Sequence, residues 1–336
     1  MEQVLRIGVV GCGAMGREHV RMWGALDGAR VAAVCDADDD RARAVARACG
    51  AEPFADLDEM TGSGRVDAID LCTPSGLHAD QGLTGARHGL HVFTEKPLDL
   101  DYGKALRLVQ ECENRGLTLG CMFQRRAYAG AQAVARAVAE GRMGRVLLCS
   151  VAVKWWRPQA YYDSAAWRGS LSLDGGVLAN QAIHAIDHMN WLAGPVADVE
   201  YAHLATERHD MEAEDLALAV LRFENGARGI IEATTCAHPA LCSRLELVCS
   251  DGAASFDDAT VTAFGAGGED LLSTIGPPAE PVGGRSDPMA IRFDGHQAVL
   301  ADFAAAIREK RPPLCDGRSA LLSVDTLARI YAKARA

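Results

Sequence analysis

The sequence predicts a two-domain α/β protein that opens with a doubly wound parallel sheet. Three observations carry this. A short apolar strand runs through a glycine turn into a helix at "VLRIGVVGCGAMGREHVRMWGAL"; strands and helices then alternate to about residue 122; beyond that, strands follow one another through hairpin turns. A chain of 336 residues is long for one core, which fits domains at 1–122 and 123–336.

In the first segment, helical spacing is carried by Met15, His19, Met22, Trp23 and Leu26. The turn reads G-x-G-x-x-G at Gly11, Gly13 and Gly16, with Ala14 and Met15 on the same cofactor-binding turn. Gly11 permits the tight bend, Gly13 lets backbone N–H groups approach a pyrophosphate, and Gly16 lets the helix pack closely on the strand. The next strand, "RVAAVC", ends at Asp36, 20 residues after Gly16, where an acidic side chain accepts from ribose hydroxyls and favours NAD. Arg41 and Arg43 follow within reach of a ribose phosphate, so NADP stays open. Helices near 38–49, 77–89 and 101–115 alternate with strands "DAIDLCTP", "HVFTE" and "LTLGCMF". "CTPSGLH" and "TEKP" thus fall at strand carboxyl ends, where such sheets bind ligands.

In the second half, "GRVLLCSVAVKWW", "DVEYAHLATE", "DLALAVLRFE", "ARGIIEATT" and "SRLELVCS" read as strands, with Asn225-Gly226 and Asp251-Gly252 at hairpin turns. Several are apolar on both faces, so a second subunit is expected to cover the sheet in a homodimer or homotetramer. "LANQAIHAIDH", residues 178–188, reads as one amphipathic helix with Asn180, His184, Asp187, His188 and Trp191 on its polar side.

Composition narrows the function classes. A net charge of −11 opposes nucleic acid and anionic membranes, although Arg125 and Arg126 form a local basic pair suited to a small anion. The eleven cysteines are odd in number and none stands in a C-x-x-C pair, so they read as reduced, buried small hydrophobes. No signal-peptide pattern and no long apolar span occurs, and a cytoplasmic protein is expected.

The motifs "GCGAMG", "TPSGLH", "TEKP" and "DGGVLANQAIHAID", in this order and spacing, resemble the Gfo/Idh/MocA oxidoreductase family. The resemblance extends to "YYDSAAWRG" and "GHQAVLADFAAAI", nearly the whole chain. It implies a Rossmann domain followed by an α/β domain with a large, mostly antiparallel open sheet. It also implies hydride transfer between a nicotinamide and a secondary hydroxyl of a sugar, cyclic polyol or nucleotide sugar. Such a reaction needs a base for the hydroxyl proton, a group that stabilises alkoxide, and close alignment. The resemblance matches Lys96 to the family's catalytic lysine and His184 to its histidine. Lys96 would stabilise the alkoxide and His184 would exchange the proton, with Lys96 itself as base the open alternative. A cis Lys96–Pro97 peptide is expected from the family. Many members carry aspartate where this chain has Asn180, an amide that orients a hydroxyl but takes no proton. Asp187 either orients His184 or serves the structure. Thr73, Pro74, Ser75, His78 and Glu95 belong with the cofactor loops.

For the substrate, "KWWRPQAYYDSAAWRG" offers Lys154, Trp155, Arg157, Tyr161, Tyr162, Trp167 and Arg168, a mixture that stacks on a sugar ring and binds hydroxyls or a carboxylate. Gln124 and Arg125 join Lys96, Asn180 and His184 in the expected substrate set, and Gly175-Gly176 allow close backbone approach at a helix entrance. His184 and His188 stand at i, i+4, a spacing that can hold zinc. A zinc peptidase would want glutamate at Asp187 and a third ligand, so no metal is expected and His188 reads as an ordinary hydrogen-bonded side chain. The competing class is a non-catalytic nucleotide-binding regulator of the same fold; the presence of both Lys96 and His184 argues for the enzyme.

Overall fold

The computed structural model describes residues 4–275, 284–286 and 292–336. The chain divides into two compact units, one reaching Met122 and including His296–Leu321, the other Phe123–Gly295 with Leu322–Ala336.

The first unit runs β1 Leu5–Val10, α1 Ala14–Gly24, β2 Ala29–Cys35, α2 Asp39–Cys49, β3 Glu52–Phe54, α3 Leu57–Gly62, β4 Ala68–Leu71, α4 His78–Arg87, β5 His91–Thr94, α5 Tyr102–Asn114 and β6 Leu119–Cys121. Its six strands are parallel in the order β3-β2-β1-β4-β5-β6. Helices on both faces bury Ile7, Val9, Ile69 and Leu71 completely, which is why these strands read as apolar runs. Asp38, Asp56 and Asp101 cap α2, α3 and α5 by accepting from Arg41, Glu59 and Lys104 N–H groups. The order reverses between β1 and β4, so the crevice outside Val10 and Leu71 is the expected ligand position.

The second unit holds α6 Ala129–Ala139, β7 Val146–Lys154, α7 Gln159–Asp163, α8 Val177–Asn180, α9 Ile183–Ala193, β8 Val196–Ala205, β9 Leu216–Phe223, β10 Arg228–Thr234, β11 Cys242–Cys249, β12 Gly252–Asp257, β13 Thr260–Ala266 and β14 Glu269–Asp270. Its sheet runs β14-β13-β12-β11-β7-β10-β9-β8, antiparallel except for the β7–β10 pair. α9 packs on β7 and β11, burying Cys149, Val151, Val153, Leu245 and Leu247. α10 Asp294–Glu309 and α11 Gly317–Ala334 complete the chain.

Several expectations change. Residues 296–321, expected in the second domain, belong to the first unit: Cys121 N–H donates to the Cys315 carbonyl, Gly120 bridges Asp316, and Phe303 meets Phe93 edge-on at 5.0 Å. The returning segment thereby closes the free edge of β6. The helix expected over 178–188 is two: α8 ends at Asn180 and α9 starts at Ile183. The turn expected at Asp251-Gly252 lies at Ser250-Asp251, because Gly252 already pairs with Ala266 in β12. All eleven cysteines are free and buried or half-buried. No helix among the described residues is long and apolar enough to cross a membrane.

Candidate active site

The glycine turn meets three separate demands. Gly11 has φ 89°, and a Cβ there would lie 2.8 Å from the Cys72 carbonyl oxygen. At Gly16 a Cβ would lie 1.8 Å from the Gly11 oxygen, so only glycine lets α1 approach. At Gly13 a Cβ would meet nothing within 4 Å, and α1 starts there without a side-chain cap. The helix N-terminus therefore presents backbone N–H groups, Ala14 and Met15 among them, to an open space suited to a pyrophosphate. Asp36 is oriented by the Cys12 N–H at 2.8 Å and the Asp38 N–H at 2.9 Å. Arg41 lies 3.3 Å from Asp36, while Arg43 pairs with Asp39 at 2.8 Å. An oriented carboxylate at the end of β2 and an open glycine cradle fit NAD.

The loops after β4 and β5 are tied together. His78, expected to touch cofactor, is buried with its ring nitrogens 2.7 Å from the Pro97 carbonyl oxygen and 2.9 Å from that of Thr73. It joins the two loops. Ser75 Oγ lies 3.5 Å from the Lys96 carbonyl oxygen, and Thr73 Oγ1 donates to Gln81 at 2.6 Å. Pro74 leads into the short turn at Ser75–Leu77. The Lys96–Pro97 peptide is cis.

Beneath these loops lies a buried network that joins Glu95 and Lys96 to His19, Trp23 and Asp70, three residues outside the sequence-based site. His19 Nδ1 is 2.7 Å from Asp70 Oδ2 and its Nε2 is 3.1 Å from Glu95 Oε1. Trp23 Nε1 donates to the same Asp70 oxygen at 2.7 Å, and the Lys96 N–H donates to Glu95 Oε2 at 3.1 Å. Burial alone would discharge His19, yet Asp70 holds its pKa well above the usual imidazole range. Burial likewise opposes ionisation of Glu95, but His19, assisted by His296 and Lys96, pulls it well below the usual carboxyl range. His19 had shown only helical spacing; its distance from "CTP" and "TEKP" along the chain hid the partners. His19, Asp70 and Cys72 place ligand-type atoms within 4.8 Å of one another, but a doubly protonated ring has no lone pair for a metal.

In the second unit, Asn180 Nδ2 donates to Asp174 Oδ1 at 2.5 Å and lies 3.4 Å from Tyr161 Oη. His184, half-buried, stands in the first turn of α9 and meets Phe123 edge-on, centroids 6.3 Å apart. Asp187 serves the structure: Arg126 donates to its two oxygens at 2.9 and 2.5 Å, and Ser323 donates at 3.3 Å.

Much of the expected substrate set is interior. Arg125 and Arg126, expected to serve an anion, are buried and paired with Asp258 and Asp187, as a buried cation requires. Gln124, Trp155, Arg157 and Tyr162 are buried too. Arg157 donates to the carbonyls of Trp156, Gly284 and Arg285, and Tyr162 Oη lies 2.9 Å from Thr235 Oγ1. Trp167 and Arg168 stay partly exposed; the Arg168 guanidinium stacks over Tyr161 at 4.2 Å and Trp167 at 4.6 Å, without a carboxylate partner among the described residues. Lys154 pairs with Glu232.

Two further expectations are corrected. The Gly175-Gly176 entrance is filled by Glu214, whose carboxyl would lie 2.2 Å from a Cβ on Gly176 and which accepts from Leu178 N–H at 3.0 Å. Burial pushes Glu214 up to about 7. His188 is completely buried, with neither ring nitrogen hydrogen-bonded among the described residues. It packs against Phe256, and burial, with Arg125 and Arg126 nearby, pushes it down to about 3.

Comparison with known proteins agrees with this organisation. Residues 5–123 match the profile of the oxidoreductase family with an NAD-binding Rossmann fold, and residues 131–255 match the GFO/IDH/MocA C-terminal domain. The WlbA dehydrogenase of Bordetella pertussis, solved with NADH and UDP-GlcNAcA, is 34% identical over 99% of this chain and 97% of its own, with a TM-score of 0.86. The WlbA dehydrogenase of Chromobacterium violaceum, solved with the same two ligands, is 30% identical over 100% of this chain and 94% of its own, with a TM-score of 0.88. An uncharacterized oxidoreductase of Streptococcus pneumoniae is 29% identical over 68% of this chain, and the match spans only 62% of that protein. With a Rossmann unit carrying an open glycine cradle and a second unit built on a large mixed sheet, the chain belongs to the Gfo/Idh/MocA oxidoreductase family.

Proposed function

We propose that the protein is an NAD-dependent dehydrogenase that oxidises a secondary hydroxyl of a sugar, cyclic polyol or nucleotide sugar, or reduces the corresponding ketone. The open cradle at Gly13, backed by the oriented Asp36, is the observation that carries this reading. NAD, when bound, supplies the hydride acceptor. Lys96 donates a hydrogen bond to the reacting oxygen and stabilises its negative charge. His184 takes the hydroxyl proton during oxidation and returns it during reduction. Asn180, whose amide nitrogen donates to Asp174, orients the substrate hydroxyl.

Among substrates, a nucleotide sugar acid has the most support, since both relatives matched over nearly their full length were solved with UDP-GlcNAcA. Arg168 adds a partly exposed cation with no carboxylate partner among the described residues, suited to an anionic group of the bound ligands. The protein works in the cytoplasm as a homodimer or homotetramer joined through the open face of its large sheet. The test is reduced-nicotinamide absorbance with NAD and NADP against UDP-GlcNAcA, neutral nucleotide sugars, inositols and free sugars. Turnover with one of them supports the reading. NAD binding with no turnover on any would move the protein to the regulator class.

A further inference from the structure

We propose that His19 is a positioning residue for Lys96: wedged between Asp70 and Glu95, it fixes the carboxylate that receives the Lys96 amide, and its charge tunes the Lys96 ammonium. The inference rests on Lys96 as the alkoxide-stabilising group. Its geometry is confined to the first unit.

The network draws on separate parts of the fold. Trp23 and His19 come from α1, Asp70 from β4, and Glu95 from the end of β5. The hydrogen bonds run from Trp23 to Asp70, from His19 to Asp70 and Glu95, and from the Lys96 N–H to the other Glu95 oxygen. A neutral imidazole has one N–H and one lone pair. Set between two carboxylates, it would aim the lone pair at one of them, so the arrangement calls for both nitrogens protonated.

The charge balance then reaches Lys96. Two carboxylates and one imidazolium leave a single negative charge, and the Lys96 ammonium acts electrostatically on its Glu95 member. Cys72 stays a neutral thiol, pushed up to about 12 by burial, and His296 of α10 also faces Glu95. Both are retained in every variant below, so differences among the variants isolate His19 and Glu95. Removing the His19 charge leaves a second uncompensated carboxylate, and the Lys96 amine then holds its proton more tightly. Removing the Glu95 charge does the reverse.

The experiment reads Lys96 directly on the intact chain, without substrate or cofactor. Brief acylation with an amine reagent across a pH series, followed by mass spectrometry of the Lys96 peptide, gives the pH midpoint at which that amine becomes reactive. His19→Gln is expected to raise the midpoint by about one pH unit, and His19→Gln/Glu95→Gln to bring it back to within about 0.3 unit of the natural protein. If His19→Gln does not fold, Glu95→Gln alone is expected to lower the midpoint by a similar amount. A fall in melting temperature with no movement of the midpoint in any folded variant overturns the proposal. Where turnover is measurable, the pH limb of kcat should move with the midpoint while KM for NAD changes less than about threefold. Failure to find a substrate would sink the dehydrogenase reading and leave this comparison standing.

Discussion

At Gly13 an added methyl meets no atom within 4 Å, whereas at Gly16 it would lie 1.8 Å from a backbone oxygen. The two positions therefore separate cofactor binding from folding. Gly13→Ala is expected to leave the melting temperature nearly unchanged and weaken NAD binding about tenfold, near 1.4 kcal/mol. Gly16→Ala is expected to destabilise the protein by about 3 kcal/mol or more, because neither the helix nor the carbonyl can withdraw cheaply. Thermal melts and a cofactor titration check both. Equal effects at the two positions would contradict the assignment. The glycine roles were legible because backbone geometry dictates them locally. Arg125, Arg126 and His188 were misread because their surroundings depend on remote partners: Asp258 lies 133 residues from Arg125, and Asp187 lies 61 residues from Arg126.

Helix α8 depends on Glu214. This buried carboxyl accepts from Leu178 N–H at the start of the helix and from Tyr331 Oη in α11 at 2.9 Å. Its folded value of about 7 lies above the ordinary 4.5, so between those values the folded state binds more protons than the unfolded one. Its contribution to stability is therefore greatest in acid and is lost as pH rises through that window, by up to about 3 kcal/mol. Glu95 acts in the opposite sense: its depressed value contributes stability above the ordinary carboxyl range that is lost on acidification. Glu214→Gln should flatten the decline in melting temperature between about pH 5 and pH 8; an unchanged decline would rule out this source. Periodicity identified most long elements, since strands such as β7 and β9 alternate or run apolar as their burial requires. It missed β3, which has only three residues, and β12 to β14, whose small side chains in "GAASFDDATVTAFGAGGED" carry no clear period, and it left the helices α6, α10 and α11 unassigned. It also merged α8 with α9, because the spacing stays helical through Gln181 and Ala182 while the backbone does not.

For the whole molecule, the open face of the second unit's sheet remains apolar in part. Tyr201, Leu218 and Ile230 are 52%, 41% and 41% exposed on adjoining strands, beside the Lys154–Glu232 and Arg222–Asp198 pairs. Apolar groups set among paired charges suit a subunit interface. Light scattering is expected to find the proposed oligomer in the natural protein and monomers in Leu218→Glu with Ile230→Glu; a monomeric natural protein or an unchanged oligomer in the variant would contradict this interface. The two-part organisation was readable from the change from strand–helix alternation to hairpin-linked strands, but the return of residues 296–321 to the first unit was not. That segment is helical and apolar like any other, and only the paired edge of β6 shows where it belongs. Reduced-nicotinamide formation with the best substrate tests the proposed Lys96 and His184 roles most directly. Lys96→Ala and His184→Ala should each lower turnover by about 10²-fold or more while NAD binding persists; turnover near that of the natural protein in both variants would contradict the assigned roles.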